Sequence, residues 1–200
     1  QALLAAARYH CRIIMVGDVD QLPSVGPGNI LGEILATQVV PTVRLTEIFR
    51  QAQKSLIVQN AHRIVQGQMP QKGAAQDDFF MMEKSGFECQ QLVCDLVSVR
   101  LPRAYGFDPV RDIQVLCPTK MGATGSMELN RRLQEVLNPP AWGKPQLGGE
   151  NGSKILRLGD KVMQIKNDYD ITFERDGAEA GAGAYNGDMG IITAVDEDAR

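Results

Sequence analysis

Apolar positions along the chain alternate between two rhythms. Arg12-Ile13-Ile14-Met15-Val16 is a short continuous run that stops at Gly17-Asp18, the mark of a buried and most simply parallel strand. Ile30, Leu31, Ile34 and Leu35 then recur at helical spacing, and Pro41 closes that unit. Val43 to Phe49, VRLTEIF, reads as a second strand. Leu56, Ile57, Asn60, Ala61, Ile64 and Val65 mark a helix that runs out before Gly67 and Pro70, and MPQKGAAQDD is a turn-rich loop. DFFMME is strand-like. Leu92, Val93, Leu96, Val97 and Leu101 form the stripe of a further helix, expected to end at Pro102. Ile113, Val115 and Cys117 make a strand ending at Pro118. After a glycine-containing loop, Leu129, Leu133, Val136 and Leu137 mark a helix stopped by Asn138-Pro139-Pro140.

Strand and helix alternate up to about residue 140, which predicts an α/β domain with a mainly parallel sheet. The texture then changes. KILRLGDKVMQIKNDYDITF and AYNGDMGIITAV are strand-like runs separated by turn signals such as Asn186-Gly187, so a small β element is expected. Between them AEAGAGA, residues 178–184, reads as a low-complexity loop tip. No internal repeat is visible.

Composition narrows the class without naming a function. Hydrophobic residues at 44% and charged residues at 22% are ordinary for a globular protein of 200 residues. No apolar run approaches the roughly 20 residues needed to span a bilayer, and QALLAAARYHCR lacks the basic start and cleavage-like site of a signal peptide. A net charge of −3 gives no global signature of nucleic-acid binding, which would have to come from a local patch. Cys11, Cys89, Cys94 and Cys117 form no C-x-x-C pair, and His10 and His62 have no metal-ligand spacing. The expectation is buried, reduced thiols, a cytoplasmic location and no metal site. The apolar start and the end shortly after a strand-like run suggest part of a longer protein.

The chemistry concentrates in GDVDQLPSVGPGN, residues 17–29, where three readings compete. A dinucleotide-binding turn would use Gly26, Gly28 and Gly32, but their G-x-G-x-x-x-G spacing is one residue too long. A magnesium site would use Asp18 at the strand end, but Val19 follows it and no G-x-x-x-x-G-K-[ST] occurs in the chain. Asp18 would then simply cap the loop. A third reading puts the work on Gln21, four residues from the carboxyl end of a strand, where open α/β sheets bind ligands. Its amide can donate to a terminal phosphate oxygen or orient a water, and Pro23 and Pro27 would stiffen the loop around it. Physical chemistry permits this reading without selecting it.

A resemblance selects it. RIIMVGDVDQLPSVGPGNIL resembles motif III of superfamily 1 helicases of the RecD-like type, to which the alpha subunit of exodeoxyribonuclease V belongs. VRLTEIFRQAQ, residues 43–53, resembles their motif IV, and VLCPTKMGATGSMELNRRLQ, residues 115–134, their motif IVa. GDKVMQIKNDYD and YNGDMG resemble the start of their small β-barrel insert, and the order holds over nearly the whole chain.

The resemblance implies a RecA-like parallel sheet with flanking helices. Residues 1–42 would close the first motor domain, 43–145 would form much of the second, and 146–200 would lead into the barrel. It implies that Gln21 and Arg50 contact the γ-phosphate of ATP, Arg50 as an arginine finger oriented by Glu47 and Gln51. It further implies that Pro23, Ser24, Thr119, Lys120 and Asn130 touch single-stranded DNA. Lys120 is followed by Met121 where the family often carries a second basic residue. Tyr169 and Tyr185 could stack on bases or simply pack their hairpin.

The implied activity is ATP-dependent unwinding of DNA in repair or recombination, with 5′→3′ movement. ATP and Mg2+ would serve the whole protein, and none is expected to bind tightly to these 200 residues, which lack the phosphate-binding loop and the Asp-Glu motif. Single-stranded DNA and duplex–single-strand junctions are the implied partners, with subunits of a helicase–nuclease complex as further candidates and no membrane. The competing classes are a non-catalytic DNA-binding or protein-interaction module and a dinucleotide-dependent oxidoreductase.

Overall fold

The structure is a computed structural model, and it describes residues 2–21, 28–45, 54–74, 76–148, 154–175 and 178–196. These residues gather into two compact units, 1–82 and 83–200.

In the first unit helices form at both predicted stripes, and a further short one precedes them. Helix α1 spans Ala2–Ala6, α2 spans Ile30–Thr37 and α3 spans Leu56–Val65. Asn29 starts α2: its side-chain oxygen accepts from Gly32 N at 3.2 Å while its own N–H donates to Glu33 at 3.4 Å. This reciprocal cap satisfies donors that a helix start leaves open. Helix α3 is capped twice. Ser55 Oγ accepts from Val58 N, and Asp78 Oδ1 accepts from the backbone of Leu56 at 2.8 Å and Ile57 at 3.2 Å.

A carboxylate at a helix N-terminus is stabilised by the helix dipole as well as by these donors. The Asp78 carboxyl is accordingly held below its usual range, first by the Ser55 hydroxyl and then by the Ile57 and Leu56 amides. Asn60 of α3 is only 1% exposed. Its amide donates to Gln71 O at 2.9 Å and its oxygen accepts from Gln71 N at 2.7 Å, so the loop after the helix is paired as if to a strand.

Arg12–Val16, Val43–Leu45 and Phe79–Met82 have no regular ladder partner among the described residues. Ile14 is 86% exposed and Val16 is 94% exposed. The same holds in the second unit for Ile113–Cys117, where Leu116 is 87% exposed. The expected parallel sheet is therefore not present among the described residues. The physical reason is that a strand exists only through the N–H and C=O groups of its neighbours, whereas a helix satisfies its own.

The second unit opens with α4, Gly86–Asp95, which passes into a π-helical stretch, Leu96–Arg100, and then α5, Leu101–Tyr105. Pro102 does not end this helix, contrary to the sequence expectation; Gly106 does, at φ 74°. The wider π turn just before Pro102 relaxes the clash between the ring and the preceding turn that an α-helix interior would impose. Val97 is buried here. Helix α6 spans Ser126–Leu137 as its stripe predicts, burying Leu129, and gives way at Asn138. Trp142 lies fully exposed in a turn closed by Lys144 N donating to Ala141 O.

Beyond this point the β element is present as three antiparallel pairs. Strand β1 (Gln146–Leu147) pairs with β2 (Leu156–Arg157), and β3 (Lys161–Met163) pairs with β6 (Met189–Ile191). Strand β4 (Asp168–Arg175) pairs with β5 (Ala178–Ala184). No closed barrel is formed by the described residues. AEAGAGA, expected as a loop tip, is thus strand β5. Its glycines are covered by aromatics: a Cβ on Gly181 would fall 2.3 Å from the Phe173 ring, and one on Gly183, at φ 99°, 2.8 Å from the Tyr185 hydroxyl. Small residues here let aromatic rings lie close over the backbone, a packing role that composition does not reveal.

The cysteines carry no disulfide, and Cys11 is exposed rather than buried. Cys94 is half-buried, and burial pushes its thiol up, away from the reactive thiolate.

Candidate functional site

Gln21 sits in an exposed turn just past the apolar run that ends at Gly17-Asp18. Asp18 organises that turn: Oδ1 accepts from Asp20 N at 2.9 Å and Oδ2 accepts from Gln21 Nε2 at 3.1 Å. Asp18 therefore caps the loop, the plainer of its two sequence readings, and in doing so holds the Gln21 amide. Arg44 lies 3.9 Å from Asp20, an exposed pair of little energetic weight. Pro23, Ser24, Glu47, Arg50 and Gln51 lie outside the described residues. No group of three or more His, Cys, Asp or Glu that could hold a metal ion occurs among the described residues. Among the described residues Gln21 presents one side-chain amide, and Asp18 Oδ2 already engages it.

The other candidates come together at the N-terminal end of α6. Thr119 and Lys120 precede it in a tight turn, in which Thr119 Oγ1 donates to Met121 O at 3.1 Å. Their carbonyls accept from Ser126 N at 3.0 Å and Met127 N at 3.1 Å. The first two helix N–H groups are thereby occupied, so any anion recognition here falls to side chains rather than to the bare helix end. Lys120 is exposed, and so is Asn130, one helical turn from Ser126 and Met127 on the same face.

The polar residues that hold this assembly carry no motif of their own. Gln90 of α4, 4% exposed, donates to Ala123 O at 3.1 Å and to Glu128 at 3.3 Å. Glu128 in turn accepts two hydrogen bonds from Arg131, at 2.6 and 2.9 Å, and one from Arg132 at 3.3 Å. At the far end of α6, Asp160, 8% exposed, accepts from Gln134 Nε2 at 2.5 Å and Asn138 Nδ2 at 2.6 Å. It also accepts from Arg157 N at 2.8 Å. Lys144 donates to the Asn138 oxygen. Sequence reasoning misses these residues, although a signal exists for Gln90: it falls in register with Val93 and Val97 on the apolar stripe, where a polar residue is out of place unless bonded.

The Arg131 fork holds the Glu128 carboxyl down to about 2. Because the folded value lies below the unfolded one of about 4.3, this contribution is fully present above pH ~4.5 and is lost as pH falls toward ~2. In Glu128→Gln that part of the acid dependence is expected to vanish. Urea-unfolding midpoints measured between pH 2 and 6 check it, and parallel profiles for wild type and variant would count against the pairing.

Residues 129–200 match the family model described as the ATP-dependent RecD-like DNA helicase SH3 domain, and residues 1–83 match an AAA domain. An AAA domain belongs to the P-loop NTPase class. Over 195 residues, 96% of this chain, the sequence is 35% identical to the ATP-dependent RecD2 DNA helicase of Deinococcus radiodurans. The chain spans 23% of that protein's length.

Proposed function

Because the chain is RecD-like in sequence along almost its whole length, we propose that the protein carrying it is an ATP-dependent DNA helicase that moves 5′→3′ along single-stranded DNA. The observation that carries this reading is the 35% identity, over 96% of the chain, to a relative named as an ATP-dependent DNA helicase, and the ordered series of helicase-like motifs agrees with it. In this reading residues 1–42 complete a first motor domain, 43–145 form much of a second and 146–200 begin the small barrel. Arg12–Val16, exposed along its length, and Ile113–Cys117, where Leu116 is exposed, are apolar runs without a ladder partner among the described residues, which supports a reading of each as a strand of a larger motor sheet.

Bound between the motor domains, ATP with Mg2+ supplies the phosphoanhydride whose hydrolysis drives the cycle. Gln21 turns its amide from Asp18 toward the γ-phosphate, and Arg50 approaches the same oxygens with its planar guanidinium. Gaining and losing these contacts switches the domain arrangement with each turnover. Thr119, Lys120 and Asn130, with Pro23 and Ser24, hold the strand during the step, Lys120 by charge and the others by hydrogen bonds and contact with the backbone. Work in DNA repair or recombination in the cytoplasm, alone or beside nuclease subunits, fits this activity.

Strand separation on a forked DNA duplex, with and without ATP, tests the proposal. The full-length protein is expected to unwind the fork and to hydrolyse ATP faster with single-stranded DNA. The 200-residue chain alone is expected to hydrolyse none. Turnover by the isolated chain, or a full-length protein indifferent to DNA, would overturn it.

A further inference from the structure

We propose that Asp160 and Gln90 are positioning residues for the DNA-contacting turn, clamping α6 at its two ends so that Thr119, Lys120 and Asn130 are held in one orientation. This rests on the reading that those three residues meet DNA.

Helix α6 buries only Leu129 well, so apolar packing alone leaves it free to roll about its axis. Directional bonds remove that freedom, because a hydrogen bond weakens steeply as its angle departs from linear. At the N-terminal end the Gln90 amide joins Ala123 O to Glu128, tying the turn and the first helical turn to α4. At the C-terminal end the Asp160 carboxylate, in the β2–β3 turn, gathers Gln134 from the helix, Asn138 from its C-cap and Arg157 N from β2.

The backbone of Asp160 is fixed as well: its N–H donates to Arg157 O at 3.0 Å and its carbonyl accepts from Ile192 N at 2.9 Å. Gln134 donates further to Ile155 O at 2.9 Å, and Asn138 to Leu158 O at 3.1 Å. The carboxylate is nearly buried and its contacts are all with donors, so it cannot turn away to water without leaving those donors unpaired. The β element therefore sets the roll of α6. That roll sets Asn130 directly, and Thr119 and Lys120 through their carbonyl bonds to Ser126 and Met127.

The test uses the full-length protein and its steady-state ATPase, titrated with a single-stranded oligodeoxythymidine. In Asp160→Asn an amide faces the amides of Gln134 and Asn138. The half-saturating DNA concentration is expected to rise about tenfold, the loss of one to two hydrogen bonds' worth of affinity. The rate at saturating DNA should stay within about twofold, since no atom meeting ATP has changed.

Gln90→Met loosens the opposite end and is expected to give about a threefold rise; it carries the test alone if Asp160→Asn does not fold. Lys120→Ala separates the two layers of inference. If Lys120→Ala weakens DNA binding while Asp160→Asn and Gln90→Met lower only the melting temperature, the positioning role is overturned. If Lys120→Ala binds DNA as wild type does, the DNA reading of the turn falls, and this proposal falls with it.

Discussion

Arg50→Ala in the full-length protein is expected to lower DNA-stimulated ATP turnover by about 10³-fold, roughly 4 kcal/mol of transition-state stabilisation. The expectation follows from charge. A guanidinium reaching the γ-phosphate donates to oxygens whose charge is redistributed as the bond to the leaving group breaks. Removing it leaves ground-state binding, which other contacts share, much less affected. ATP affinity measured with a fluorescent nucleotide is therefore expected to change by less than about tenfold while the rate collapses. Arg50→Lys keeps the charge and loses the fork, so it should recover only part of the rate. Turnover within a factor of two of wild type in Arg50→Ala would remove this residue from the mechanism. Gln21 sets a useful contrast. Asp18 already satisfies its amide, so its approach to phosphate exchanges one hydrogen bond for another, and Gln21→Ala should cost less than Arg50→Ala.

Asn60→Leu is expected to destabilise the first unit by about 2–3 kcal/mol although leucine suits both the helix and the apolar stripe. The side chain removed is buried and pairs with both backbone groups of Gln71. Leucine fills the volume and offers neither partner, so an N–H and a carbonyl lose their bonds where water reaches poorly. A shift of the urea midpoint, with faster amide exchange at Gln71, would show it. Asn60→Asp sharpens the test. It keeps an acceptor for Gln71 N and sets a carboxylate against Gln71 O, so it should be worse at neutral pH than near pH 3. An unchanged midpoint in Asn60→Leu would mean that the pairing contributes nothing net.

These residues show what the sequence makes legible. Helices α2, α3, α4 and α6 are readable because a helix satisfies its own backbone and only its buried stripe needs a neighbour. The apolar runs at Arg12–Val16 and Ile113–Cys117 are equally clear as patterns, yet a strand is a relation between segments, and a run cannot display its partner. Pro102 promises its usual helix-ending effect, which a π turn one step earlier removes. The composition of AEAGAGA suggests a loop, where the relevant fact is the rings of Phe173 and Tyr185 lying over its glycines.

Of the proposed site, Gln21, Thr119, Lys120 and Asn130 are suggested by motif resemblance alone. The supporting polar residues are less visible, because buried amides and carboxylates resemble surface residues until their partners are known. Asn60 and Gln90 carry one hint each, a polar side chain in phase with an apolar stripe. Asp160 carries none beyond its place after Gly159 in a turn.

The chain contains a single tryptophan, Trp142, and it stands entirely in solvent two residues before Lys144, which donates to the Asn138 that Asp160 holds. The protein segment thus comes with its own optical reporter. Its emission starts from the fully hydrated limit, so anything that covers the turn, whether a nucleic acid strand or a neighbouring domain, moves the spectrum to the blue or quenches it. No label is needed, and no second indole obscures the signal from these 200 residues.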